Sequence, residues 1–160
     1  MRIYSRNAND WTARLSAIAT AARQIKARSF TIDGEAVMLG PDGLALFDEL
    51  RRRETADTAI LYASDLIEHD GEDMCNRPFL DRKNALVRLL RDTKAGILLN
   101  EHVAEDGPIV FAHACRLGAE GIVSKKIDST YRSGACPVWI KVRNPASIAV
   151  QRERSVKWNG

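Results

Sequence analysis

The chain has 160 residues, 45% of them hydrophobic, enough to bury one core with little room for a second, so a single domain is expected. Its formal charge is +3, and residues 121–160 hold eight Lys or Arg against Asp128 and Glu153; this basic end permits phosphate or nucleic-acid contact and equally fits a solvated tail. No apolar run approaches the roughly 20 residues that cross a bilayer, residues 1–6 lack a signal-peptide stretch, and Cys75, Cys115 and Cys136 fit no zinc-ligand spacing, which leaves a cytoplasmic protein with reduced thiols.

In chain order, Trp11, Leu15, Ile18, Ala22 and Ile25 recur at helical spacing, which predicts an amphipathic helix over 11–25 with Asn9 or Asp10 as its cap. Phe30, Ile32 and residues 37–39 predict a strand, closed by the turn Gly40-Pro41-Asp42-Gly43. Residues 44–53 read as a short helix and 59–68 as a strand ending at Asp70-Gly71. Residues 81–91, with Leu86, Leu89 and Leu90 on one face, predict a further helix. Strand character returns at 97–103. Asp106-Gly107-Pro108 then opens a helix that Gly118 closes, and two late strands follow at 121–127 and 138–142. Single strands mixed with helices, without a βαβ repeat, predict an α+β fold with a largely antiparallel sheet and flanking helices.

Four polar clusters lie within or beside runs that otherwise read as core: Asp33-Gly34-Glu35, Asp65 with Asp70-Gly71, Glu120-Gly121-Ile122-Val123-Ser124-Lys125-Lys126, and Trp139-Ile140-Lys141-Val142-Arg143. Burying such charges unpaired is costly, so they should face solvent or converge on a ligand. Taken singly, each fits a solvated strand as well as a site.

Their order and wording resemble the nucleotidyltransferase motifs of ATP-dependent DNA ligases, especially the bacterial repair type, over nearly the whole chain. The segment from Arg2 through Ser5-Arg6-Asn7-Ala8-Asn9-Asp10-Trp11-Thr12 is similar to the family's R-x-x-S-R-N-G-x-D-W-T, with Ala8 where glycine is common. Ile32-Asp33-Gly34-Glu35 resembles motif III, Leu61-Tyr62-Ala63-Ser64-Asp65-Leu66 motif IIIa, the run from Glu120 motif IV, and the run from Trp139 motif V. The resemblance implies a partial nucleotidyltransferase, ATP-grasp-like adenylation domain over 1–150, truncated before motif I and after motif V. Residues 151–160, with Arg152, Arg154 and Lys157, then form a basic tail like the linker to an absent OB-fold domain.

In that family a lysine amine attacks the ATP α-phosphate, AMP is carried as a phosphoramidate and passed to a DNA 5′-phosphate, and the 3′-hydroxyl displaces AMP to seal the nick. Negative charge develops on phosphate oxygens at each step, so cations and carboxylates must gather around the nucleotide. The resemblance implies that Glu35 binds the ribose, that Glu120 helps hold Mg²⁺, and that Lys125 and Lys141 approach the phosphates. Ser64 and Arg143 complete the nucleotide site, and Arg6 with Asn7 borders the nucleotide or the nick. ATP, Mg²⁺ and nicked DNA are the implied ligands. No membrane contact is expected.

Two departures stand out. No Lys-x-Asp-Gly occurs in the chain, so no catalytic lysine is assigned; Lys26 reads as a solvated helix-end residue. Ser64 stands where motif IIIa has an aromatic ring stacked on adenine, and a hydroxyl does not replace that area. The readings left open are an adenylation fragment completed by a second chain or a longer gene product that supplies the lysine, a non-catalytic remnant that binds nucleotide or nicked DNA, and a relative of RNA-ligase or capping enzymes. Sheet edges exposed by truncation imply a homodimer as well. His69, His102 and His113 read as surface or packing residues, Trp158 as part of the tail, and Trp11 and Phe111 as core.

Overall fold

The structure, a computed structural model, describes residues 1–41, 50, 57–93, 95–134, 136–147 and 150–151. The helix expected at 44–53, the end of the turn at Asp42-Gly43 and the basic residues of the tail lie outside those residues, apart from Leu50. Three helices and six strands are described: α1 (Ser16–Ala22), β1 (Phe30–Val37), β2 (Ile60–His69), β3 (Glu72–Asp73), α2 (Phe79–Leu90), β4 (Ile97–Leu99), α3 (Gly107–Arg116), β5 (Gly121–Lys125) and β6 (Trp139–Arg143). Among them no helix is long and apolar enough to cross a membrane.

The first helix is shorter than its periodicity. Residues 12–15 form turns, opened by an Asp10 carboxylate that accepts from the Thr12 amide at 2.8 Å. Leu15, with φ −104° and ψ 51°, makes no side-chain cap. At the far end Gln24 and Ile25 close on Ala21 and Ala22 by i→i+3 bonds, the tightened geometry of a helix terminus. Leu15, Ile18, Ala22 and Ile25 still enter the core, with Trp11 packed on its rim. The apolar spacing therefore marks which side faces inward, and regular hydrogen bonding spans only its middle.

The main sheet is built on β2, which pairs antiparallel with β1 along one edge. Its other edge takes β3 antiparallel and β4 parallel. The β1–β2 register slips twice: Ser64 and Ile67 have no partner on β1, so β2 carries two bulged residues. Gly34 of β1 is fixed by proximity, since a Cβ there would lie 2.5 Å from the Tyr62 carbonyl oxygen. Asp70 and Gly71, with φ of 54° and 91°, turn the chain into β3, and the Asp70 carboxylate accepts from the Arg28 amide at 2.7 Å. Asp70-Gly71 thus builds a turn, not a site. The strand expected at 97–103 regularises only to Leu99, with the Asn100 amide making one more bond to Ala63 at 2.8 Å; Val103 is exposed.

Helix α2 starts slightly earlier than expected and buries Phe79, Arg82, Lys83, Ala85, Leu86 and Leu90. Helix α3 starts at Gly107, but the Asp106 carboxylate makes no cap bond; the Asp106 carbonyl accepts from the Val110 amide instead, and Gly118, at φ 75°, ends the helix. No residue of α3 is fully buried, so Phe111 is half-buried, not core. Strands β5 and β6 form a separate antiparallel ribbon, against which α3 lies. The backbones of the two strands meet so closely at Gly121 that a Cβ would sit 2.1 Å from the Val142 oxygen.

The loop after β5 ties the ribbon to the rest. Leu80 N bonds Ile127 O at 3.0 Å, and Tyr131 N bonds Cys75 O at 2.8 Å. Within this junction the Arg82 Nε and Nη2 groups donate to the two Asp65 carboxylate oxygens, each at 2.8 Å, with both side chains fully buried. Nη1 donates to the Ser129 carbonyl at 2.9 Å and to the Arg77 carbonyl.

Removing one partner of such a pair leaves a buried charge. Arg82→Met should therefore lower unfolding stability by about 3–5 kcal/mol in urea titration, whereas Asp65→Leu/Arg82→Met together should cost distinctly less. Equal losses in the single and double variants would show that the pair is not held as described.

Candidate functional site

Residues that pair across antiparallel strands point to the same side, and alternate residues along a strand share a face. The pairs Lys125↔Trp139, Val123↔Lys141 and Gly121↔Arg143 therefore put Lys125, Lys141 and Arg143 on one face of the ribbon. Lys141 Nζ lies 3.8 Å from a Glu120 carboxylate oxygen, and the Glu120 carbonyl is bonded by the Asn144 amide at 2.8 Å, which closes the base of the ribbon.

Lys125 is the centre of the cluster. Its Nζ sits 4.0 Å from the centroid of Trp139 and 4.9 Å from that of Phe79. Burial pulls its amine below the ordinary lysine value, while the Asp65 and Asp33 carboxylates act in the opposite sense and Arg82 adds to the lowering. Asp33, on β1, is pushed up by burial, with Lys125 opposing. Burial and the nearby carboxylates Asp33 and Asp65 push the Tyr131 hydroxyl up to about 12. Lys83 completes the group: its Nζ donates to the Ser64 carbonyl at 3.3 Å and to the Asn100 carbonyl. Burial, aided by repulsion from Lys125, pulls its amine down to about 8. Three cations, Arg82, Lys83 and Lys125, thus surround two carboxylates.

The structure brings together some of the residues expected in a site and not others. Lys125, Lys141 and Arg143 share the ribbon face. Glu35 is exposed on β1, two residues from Asp33 and hence on its side of the strand. Glu120 is joined to this group through Lys141. Ser64 is half-buried at the first bulge, its hydroxyl donating to the Asp33 carbonyl at 3.3 Å. Asp65 serves the buried ion pair, a structural role. Arg6 and Asn7 occupy the exposed tip of a turn closed by the Tyr4↔Asp10 bridge and by Ser5 N to Asn9 O at 2.9 Å; neither takes part in the cluster around Lys125. His113 Nδ1 meets Arg116 at 3.3 Å on the surface of α3.

Arg82, Lys83 and Tyr131 were not singled out in the sequence. The signal for the first two was present: positions 79, 82, 83, 86 and 90 lie on one helical face, so the stripe that buries Phe79, Leu86 and Leu90 carries both cations inward. Nothing local marks Tyr131. Among the described residues no group of three or more His, Cys, Asp or Glu gathers to hold a metal ion. Glu120 alone fits Mg²⁺ only as the single carboxylate of an ion otherwise held by phosphates and water.

The family model described as the ATP dependent DNA ligase domain matches residues 1–143. The multifunctional non-homologous end joining protein LigD of Pseudomonas aeruginosa is 34% identical over 147 residues, covering 89% of this chain and 18% of that protein. Among solved structures, the ligase domain of M. tuberculosis LigD is similar with a TM-score of 0.75 and 30% identity, covering 89% of this chain and 47% of that one. A mycobacterial DNA ligase D complexed with ATP and MES gives 0.75 and 29% with the same coverage. The chain thus spans less than a fifth of the LigD relative and about half of the solved ligase chains.

The position of Lys83 makes stability depend on pH. Its folded value of about 8 lies below the ordinary 10.5, so the fold disfavours the charged amine, and between those values the unfolded chain binds more protons. Stability from this group is lowest below about pH 8 and rises toward 10.5. Across that window the native chain should gain on the order of 1–3 kcal/mol relative to Lys83→Met in paired urea titrations; parallel curves for the two proteins would contradict the assignment.

Proposed function

The chain belongs to the ATP-dependent DNA ligase domain family, and from that membership we propose that residues 1–150 act as the nucleotide-gripping part of an adenylation domain, with 151–160 as a basic tail. The observation that carries the reading is the shared ribbon face of Lys125, Lys141 and Arg143, beside a cluster in which buried cations outnumber carboxylates. Fixed positive charge of this kind suits a polyphosphate whose oxygens gain charge during transfer. ATP is the nucleotide favoured by likeness to the ligase D solved with it.

In this reading Lys125, Lys141 and Arg143 neutralise the phosphates, Glu35 bonds the ribose, and Ser64 borders the base. Glu120 supplies one carboxylate to Mg²⁺, which when bound offsets phosphate charge. Arg6 and Asn7 meet the nicked DNA. The 160 residues contain no Lys-x-Asp-Gly, so the amine that displaces pyrophosphate from the α-phosphorus comes from a polypeptide segment outside them, on a second chain or elsewhere in the same protein. The natural setting is DNA end joining in the cytoplasm, and self-association through sheet edges is compatible with it. Ser64 favours a second reading, nucleotide or nicked-DNA binding without catalysis, because a hydroxyl offers the base little area.

Incubated with radiolabelled ATP and Mg²⁺, the 160-residue chain should form no covalent AMP adduct, while calorimetry detects ATP binding that Lys141→Ala weakens roughly two- to fivefold, the scale of one exposed charge–phosphate contact. An acid-labile adduct on any lysine, or unchanged affinity in Lys141→Ala, overturns the assignment. Ser64→Phe should raise AMP affinity about five- to tenfold, at roughly 1–1.4 kcal/mol, the lower part of the range for base–aromatic stacking. Equal or weaker binding by a folded Ser64→Phe protein would place the base elsewhere.

A further inference from the structure

Lys125 and Trp139 are register partners at the end of the ribbon where the connection from β5 to β6 begins and ends, and the ring carries the ammonium on its face at 4.0 Å. The ring itself is held from three directions. Its Nε1 donates to the Ser129 hydroxyl oxygen at 3.4 Å, Tyr131 meets it edge-on with centroids 5.7 Å apart and planes at 74°, and the β5–β6 ladder fixes its backbone. Ser129 is in turn buried. Its hydroxyl donates to the Lys126 carbonyl at 2.6 Å, and its carbonyl accepts from Arg82 at 2.9 Å, which is locked to Asp65. A continuous path of bonds therefore runs from the middle of β2, through α2 and the loop after β5, to the indole under Lys125.

We propose that Trp139 is a positioning residue for Lys125: oriented by the Asp65–Arg82–Ser129 path, it keeps the ammonium charged and fixed on the cationic face that receives a nucleotide phosphate. The role in phosphate binding rests on the function proposed above; the hold on Lys125 does not. Burial works against the charged amine, and a ring face works for it. Among the described residues, the charged groups acting on Lys125 are Asp33 from β1, Asp65 from β2, and Arg82 and Lys83 from α2, with Tyr131 from the loop against the far side of the same cluster beside Asp33 and Trp139. Taking away the ring leaves these in place and shifts the amine further down.

The test uses the full chain labelled with ¹³C at the lysine ε-carbons, with Trp139→Leu, Trp139→Phe and Ser129→Ala. In the native protein the Lys125 ε-methylene should resonate upfield through the ring current of Trp139. In Trp139→Leu that displacement should vanish and Lys125 should titrate at lower pH, with Trp139→Phe restoring most of both and Ser129→Ala giving an intermediate shift. ATP affinity in Trp139→Leu should fall roughly three- to tenfold, the range of a partly desolvated cation–ring contact, and its alkaline decline should move to lower pH. Trp139→Leu with an unchanged Lys125 titration overturns the proposal, as does an affinity loss without movement of the pH profile, which a merely structural role would give. If the native chain binds no ATP, the functional reading fails and the lysine titration alone decides the role of Trp139.

Discussion

The Arg82 guanidinium lies fully buried at the junction of the main sheet and the ribbon, which the backbone crosses with the Leu80–Ile127 and Tyr131–Cys75 hydrogen bonds. The four-stranded sheet and the β5–β6 ribbon share no ladder, and a two-stranded ribbon is marginal by itself. One fully buried side chain bonds the Asp65 carboxylate on β2, the Arg77 carbonyl at the entrance of α2 and the Ser129 carbonyl after β5. The planar fork of arginine allows this, because its donors leave in fixed and different directions. A hydrophobic residue of similar volume could fill the space, but it would not specify which loop docks where. The pair is better understood as setting the arrangement than as adding stability.

That constraint reaches the site through geometry. Once Ser129 is fixed, Trp139 and Tyr131 take their places, and Lys125 lies where two carboxylates and two rings surround it. Lys83 is drawn into the same region because it shares a helical face with Arg82. A local excess of positive charge is costly unless something balances it, and under the proposed function a phosphate-bearing ligand is what would balance it.

Much of this was legible in the sequence, and the limits have physical causes. The described elements from β1 through β6, except the two-residue β3, which was not expected, emerged near their true positions wherever apolar alternation or helical spacing ran beside a turn residue, as at Asp70-Gly71 and Gly118. The ends of α1 and β4 were missed because apolar spacing persists into turns, where side chains still face the core. Of the motif letters, several hold shape: Gly34 and Gly121 permit close backbone approach, Asp65 binds Arg82, and Asp70 makes a turn. Spacing alone could not separate these from Glu35, Lys125 and Lys141, the residues proposed to meet the nucleotide, since a motif is read as a string while packing divides it residue by residue. Tyr131 was invisible because its contacts with Trp139 and Arg82 come from chain segments that only the docked loop brings together.

The two bulges in β2 have a consequence of parity. A single extra residue in a strand exchanges inside and outside for everything beyond it, yet Ile60 to Ala63 and Glu68 to His69 keep a common phase because the slip at Ser64 is cancelled by the one at Ile67. The inversion is confined to Asp65 and Leu66, a window of two residues that aligns Asp65 with Asp33 and Leu66 with Ile32. If the register closed up at Ser64 alone, Asp65 would fall opposite Ile32 on the apolar face, and the error would run on to Glu68, whose carboxylate bonds Ser29 and Gly71. The bulges are thus a matched pair: the loss of either one inverts the strand beyond it, and the loss of both restores the phase at Glu68 but still puts Asp65 opposite Ile32.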